Sequence, residues 1–155
     1  LGYLTDSVLK LLQDTGYPGM KVLQFAFDSR EESDYLPHNY NKNCVVYTGT
    51  HDNDTVLGWL DEMAQEDRAF AQKYMNNKKS TAEEIPWDFI RLAMASVADL
   101  AVIPVQDYLG LGTEARINKP STLGYNWKWR LKQGQLEEDV LEKMYDMTKL
   151  YGRLS

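Results

Sequence analysis

The run from Tyr47 to Thr55, YTGTHDNDT, gathers an imidazole, two carboxylates and an amide between flanking hydroxyls. A neighbouring pair such as His51 and Asp52 can hydrogen-bond vicinal hydroxyl groups, and its carboxylate can stabilise a developing positive charge. Breaking a glycosidic bond calls for both, because the bond breaks through an oxocarbenium-like transition state. The same residues admit a plainer use, with Asp52 and Asp54 capping the helix that follows. A calcium loop is excluded, since Leu57 stands where that loop needs Gly and Met63 where it needs Glu. No G-x-S-x-G elbow is present to support a serine nucleophile.

A second group lies downstream, in Arg116-Ile117-Asn118-Lys119-Pro120-Ser121-Thr122 and in Gly124-Tyr125-Asn126-Trp127-Lys128-Trp129-Arg130. The amides of Asn118 and Asn126 both donate and accept, which suits sugar hydroxyls. Trp127 and Trp129 can stack on sugar rings or pack the C-terminal helix against the sheet. Packing is the expectation, because large aromatics usually serve a core. Four further side chains have weaker signals. His38 lies in a loop and is expected to be merely solvated. Cys44 begins an apolar run with no flanking His or Lys and reads as an inert core thiol. Asp107 and Tyr108 follow an apolar run and are well placed but unspecific.

These groups need elements to position them. The pattern predicts a helix opened by Thr5-Asp6-Ser7 and stopped by Gly16 and Pro18, then strands over 21–27, 44–48 and 100–106, the last with Pro104 inside it. Between the first two strands lies a polar loop, 28–43, long enough to suggest a function. A helix is expected from Thr55 to about Tyr74, another from Pro86, and a last one over 137–151. Apolar strands alternating with helices imply an α/β fold with a parallel sheet covered on both faces. Both groups of polar residues would then stand at the C-terminal ends of strands, where parallel α/β sheets and (β/α)8 barrels carry their sites. Three strands alone leave open edges and an apolar seam, so the piece reads as part of a barrel that could self-associate.

Composition narrows the classes. The 155 residues carry 17 basic and 23 acidic side chains, a net charge of −6, which argues against a nucleic-acid or anionic-membrane surface. With 43% hydrophobic residues a core can form, yet no run approaches a membrane span. One cysteine, Cys44, excludes an internal disulfide and fits a reducing, cytoplasmic setting.

Three segments, Gly19 to Phe27, Tyr47 to Thr55, and Asn118 to Thr122 with Asn126 to Arg130, together resemble the 4-α-glucanotransferases, the amylomaltases or disproportionating enzymes of glycoside hydrolase family 77. They occur in the family's order through nearly the whole chain. The resemblance implies a (β/α)8 barrel, here strands six to eight, with residues 1–155 forming a C-terminal segment and no second domain. It implies a retaining double displacement on malto-oligosaccharides and other α-1,4-glucans, with an Asp nucleophile, a Glu acid/base and a third carboxylate that stabilises the transition state. The third role falls on Asp52, with His51, Asn53 and Asn118 binding substrate. No metal or cofactor is implied, and a plastid is the expected location if the source is a plant. The acid/base Glu of the family precedes a Leu-Gly that corresponds to Leu1-Gly2, so the nucleophile and acid/base are expected outside this chain, which would then be inactive alone. Two other functions stay open at this point: a segment of an α-amylase-type hydrolase, and a non-catalytic glucan-binding module using Trp127 and Trp129.

Overall fold

Cys44-Val45-Val46-Tyr47 is rich in the β-branched and aromatic residues that suit a pleated surface, and it forms the central strand, β2 (Cys44–Tyr47). The computed structural model describes residues 5–77 and 79–154, so Leu1-Gly2 lies outside the described residues. Among those residues the sheet has three parallel strands in the order β1-β2-β3, with β1 (Gly19–Val22) and β3 (Leu100–Val102) on either side of β2. The register pairs Gly19 with Cys44 through Val22 with Tyr47, and Val45 with Leu100 through Tyr47 with Val102.

Helix α1 (Asp6–Thr15) ends at Gly16, whose φ of 69° supplies the left-handed turn. Thr5 stands at the start of α1, but its hydroxyl meets Ser7 Oγ instead of a backbone N–H. After β2 come α2 (Val56–Glu62), α3 (Gln65–Tyr74) and α4 (Ile85–Ala95), the last with Pro86 in its first turn. Beyond β3 follow the short α5 (Val105–Tyr108) and the closing α6 (Glu138–Leu150). Among the described residues no helix is long and apolar enough to cross a membrane.

The expected strand over 21–27 is corrected. The strand runs over Gly19–Val22, and Leu23–Phe25 turns into a 3-10 helix. The apolar run past Val22 is there because Leu23, Ala26 and Phe27 are buried against the helices, while Phe25 is exposed. Strand β3 likewise stops early. Pro104 has no N–H to give the ladder, and it instead precedes α5, its carbonyl accepting the Asp107 N–H. The single helix expected over 55–74 is two, broken at Met63-Ala64. The break turns α3 so that Phe70 and Tyr74 meet the Phe27 ring edge-on, at centroid distances of 5.9 and 5.8 Å. The loop 28–43 is less irregular than expected, since Pro37–Asn39 form a 3-10 turn that seats Leu36 and Tyr40 in the core. His38 is not merely solvated, because its Nδ1 lies 2.9 Å from the Tyr74 hydroxyl.

Successive side chains on a strand point to opposite faces. Cys44 and Val46 point to the helices and join Val56, Leu60, Phe89 and Ala93 in the main core. Burial pushes the Cys44 thiol above its ordinary pKa, as an inert core thiol requires. The other face departs from the expected two-sided cover. Met20, Leu100 and Val102 are 38%, 54% and 40% exposed there, so apolar strand residues stand on an open face. A smaller core of Ile90, Met94, Tyr108 and Met147 docks α6 onto α4 and α5.

Arg153 closes that dock. Its Nε donates to Met94 O at 2.8 Å, and its Nη2 donates to Ser96 O and Ala98 O at 2.9 and 3.0 Å. The guanidinium thus satisfies carbonyls at the C-terminus of α4, where a cation is also favoured by the helix dipole. Arg153→Ala is expected to lower unfolding free energy by about 1.5–3 kcal/mol, the usual value of hydrogen bonds to a charged group. A urea titration followed by circular dichroism reads this, and an unchanged midpoint would refute the docking role.

Candidate active site

Thr48 leaves the end of β2 fully buried, and Gly49 follows where a side chain has no room: a Cβ there would lie 2.6 Å from Gln24 Nε2. The chain then folds into a tight turn held by its own side chains. Asn53 Oδ1 accepts from the Thr50 N–H at 3.0 Å and from Thr50 Oγ1 at 2.8 Å, and the Asn53 N–H donates to Thr50 O. His51 and Asp52, at the tip, are turned outward, with side chains 56% and 50% exposed.

The segment after α5 reaches back to fix that tip. Arg116 Nη2 donates to Asp52 O at 2.7 Å, and the Asn118 N–H donates to His51 O at 3.1 Å. Arg116 Nε also holds Asn118 O at 3.0 Å, so the two anchors are tied together. At the Asp52 carboxylate, Asn118 Nδ2 donates to Oδ1 at 2.7 Å, and His51 Nε2 lies 3.4 Å from the same oxygen. Asp52 Oδ2 accepts no hydrogen bond from any described residue. It is the oxygen available to a ligand.

Asp54 behaves differently. Its side chain is 7% exposed, its Oδ1 accepts the Thr55 N–H at 2.7 Å and its Oδ2 faces Arg116 Nη1 at 3.6 Å. Thr55 is the cap of α2, its hydroxyl accepting the Gly58 N–H at 3.1 Å. Local turn and cap chemistry therefore accounts for Asp54 and Thr55, and not for Asp52. Below the tip, a cleft of about 480 Å³ opens over the bare face of the sheet, lined in part by Tyr47, Gly49, His51, Val102, Gln106 and Trp129. That volume suits a small ligand or a few sugar rings.

The expected packing role of the tryptophans is corrected. Trp127 is 56% exposed, its backbone sits at φ 64°, and its ring lies 5.1 Å from the His51 ring, tilted by 38°. Trp129 lines the cleft. The tryptophan that packs near the C-terminal helix is Trp87, under Lys143 Nζ at 4.0 Å. Asn126 is engaged within its own loop, accepting the Lys119 N–H at 2.9 Å and donating to Thr122 O at 3.1 Å.

What the arrangement offers is an outward carboxylate, oriented by an amide, beside an imidazole and an exposed indole, at the C-terminal end of a parallel strand. The family model described as 4-alpha-glucanotransferase, glycoside hydrolase family 77, matches residues 1–136. The chain belongs to the 4-alpha-glucanotransferase family. A 4-alpha-glucanotransferase of Clostridium butyricum is 49% identical over 154 residues, covering 99% of this chain and 31% of that protein. One from Thermus thermophilus is 47% identical over 99% of this chain and 32% of its own length. The Solanum tuberosum relative, described as chloroplastic/amyloplastic, is 45% identical over 99% of this chain and 27% of its own. Among solved structures, an amylomaltase from Streptococcus agalactiae in complex with acarbose superposes with a TM-score of 0.92 at 34% identity, over 100% of this chain and 31% of that one. The chain thus spans about a third of the length of the relatives it matches.

Within this glucanotransferase segment, the sequence marked the tip together with Asn53 and Asn118, which help to hold it, and did not mark Arg116 or Gln24. Arg116 was visible only as one letter of a longer motif, and its contacts cross 64 residues to Asp52. Gln24, which donates to Asp54 O at 2.8 Å, lay inside an apolar run and carried no signal.

Proposed function

We propose that this chain carries the Asp52 side of a 4-α-glucanotransferase active site, and that the longer protein moves α-1,4-glucan segments between malto-oligosaccharides by retaining double displacement. Asp52 accepts hydroxyls of the transferred glucose through Oδ2 and sets a negative charge beside the oxocarbenium-like transition state. His51 bonds a neighbouring hydroxyl. Asn118 contributes by orienting the carboxylate and presenting its amide beside it, and Asn53 has only its NH2 group left to offer a ligand, since its carbonyl oxygen closes the turn. The nucleophilic Asp and acid/base Glu that complete such a reaction are assigned to no residue here. Carboxylate chemistry on a glycosidic bond calls for no cofactor.

One observation carries the reading: the Asp52 carboxylate is half-exposed and gripped by a side-chain amide at 2.7 Å. A residue serving only as a cap would have its oxygens on backbone N–H groups. In keeping with the family, we take the three strands as consecutive strands of a (β/α)8 barrel and residues 1–155 as one segment of it, without a second domain. The bare apolar face at Met20, Leu100 and Val102 is then interior, and its exposure gives an isolated segment a surface for self-association. A cytoplasmic location, or a plastid in a plant, goes with this function.

The test is product analysis with the full-length protein that carries this segment and maltotriose as sole substrate. Transfer is expected to give glucose together with maltodextrins longer than the starting sugar. Only shortened products would mean that water resolves the intermediate, and no turnover would remove the catalytic assignment.

A further inference from the structure

Asp107 is 1% exposed, directly behind the site, and plays no part in the chemistry described above. Both of its oxygens accept hydrogen bonds. Thr48 Oγ1 donates to Oδ2 at 2.5 Å, and the Val56 N–H donates to Oδ1 at 2.8 Å. These donors bracket the tip. Thr48 is the last residue before Gly49, and Val56 is the first residue of α2, so one carboxylate fixes both ends of the segment 49–55 that presents His51 and Asp52. The Asp107 backbone is itself held, its N–H donating to Pro104 O just past β3.

The surroundings make a purely structural role a poor account of this residue. Burial pushes the Asp107 carboxyl above its ordinary pKa, and the like charge of Asp54 pushes it the same way. A buried carboxylate without a counter-ion is costly, and an apolar residue of similar size would often be neutral or stabilising. What an apolar residue cannot do is accept from the Thr48 hydroxyl and the Val56 N–H at once. Active sites lose rate steeply when a reacting group shifts by an ångström.

We propose that Asp107 is a positioning residue for the transfer reaction, clamping Thr48 and Val56 so that the Asp52 carboxylate is held at its working place. The proposal rests on the transferase function proposed above. It acts on kcat rather than on substrate affinity, because the clamp sets the place of a group that matters most in the transition state.

Two near-isosteric variants test it. Asp107→Leu keeps the branched shape and removes both acceptors, leaving Thr48 Oγ1 and the Val56 N–H without their shared partner. Thr48→Val removes the hydroxyl and keeps the shape. In the full-length protein with maltotriose, each is expected to lower kcat by about 10- to 100-fold, with KM within about 3-fold. The double variant is expected to fall no further than the worse single one, because both changes open the same clamp. Multiplying effects, or an unchanged kcat in folded Asp107→Leu, would overturn the proposal. A second readout does not depend on turnover. Hydrogen exchange in Asp107→Leu is expected to speed up at residues 49–56 and not at the β2 or α4 core, whereas acceleration spread over the whole chain would assign Asp107 to stability alone. If the unmutated protein transfers no glucan, the transferase reading fails, and the exchange experiment still decides whether the clamp exists.

Discussion

Asp52→Asn in the full-length protein is expected to lower kcat for maltotriose disproportionation by about a thousand-fold or more, with little change in stability. The substitution keeps the shape of the side chain, and Oδ1 can still accept from Asn118 Nδ2, so the turn at Thr50–Asn53 is undisturbed. What disappears is the full negative charge beside a transition state that carries positive charge on the sugar ring. Removing one pre-organised stabilising group typically costs a hundred- to a thousand-fold, and members of a catalytic group that acts as a unit cost more. Stability should barely move, because Asp52 is half-exposed and its approach to His51 is a surface pair of little energetic worth. Rates come from steady-state kinetics and stability from a thermal melt on the same preparation. A variant that retains wild-type kcat would remove Asp52 from the mechanism whatever its place in the fold.

The contrast between Asp52 and its neighbours shows what a sequence makes legible. The strand at Cys44–Tyr47, α4 from Ile85 and α6 from Glu138 were readable because their periodicity and punctuation are local properties. The His51-Asp52 tip was readable because polar residues follow an apolar strand, and a parallel sheet brings such strand ends together. The run Leu23 to Phe27 was misread because continuous apolarity reports burial and not backbone shape. Here Leu23, Ala26 and Phe27 are buried from a 3-10 turn. The two-sided cover failed for a related reason. Met20, Leu100 and Val102 are apolar on a face that stands open, and apolar letters alone do not say what covers a strand. The Asn118 and Arg116 contacts to Asp52 were beyond reach because they depend on a return of more than sixty residues that only the fold specifies.

Phe89→Ala bears on the layer beneath the site, and its expected effect is on folding and not on chemistry. Phe89 is fully buried, and its ring packs edge-on against Phe27 and Trp59 at centroid distances of 5.5 Å each. It shares the core with Val46 of β2 and with Val56 and Leu60 of α2, the two elements that flank the His51-Asp52 tip. Truncating a buried Phe costs about 3–5 kcal/mol through lost transfer energy and the cavity left behind, and each edge-on aromatic pair adds about 0.5–1.5 kcal/mol beyond area burial. Domains of this kind have only about 5–15 kcal/mol to lose, so a large unfolded fraction at 37 °C is expected. Equilibrium urea unfolding measures the loss, and a decrease below about 1 kcal/mol would contradict the central place given to this ring. The kinetic consequence separates the two variants. Phe89→Ala should lower total activity in proportion to the folded fraction, leaving kcat per folded molecule near wild type. Asp52→Asn should do the reverse. If Phe89→Ala instead reduced kcat per folded molecule, β2 and α2 would have shifted together without unfolding, and the site would owe its geometry directly to the packing behind the sheet.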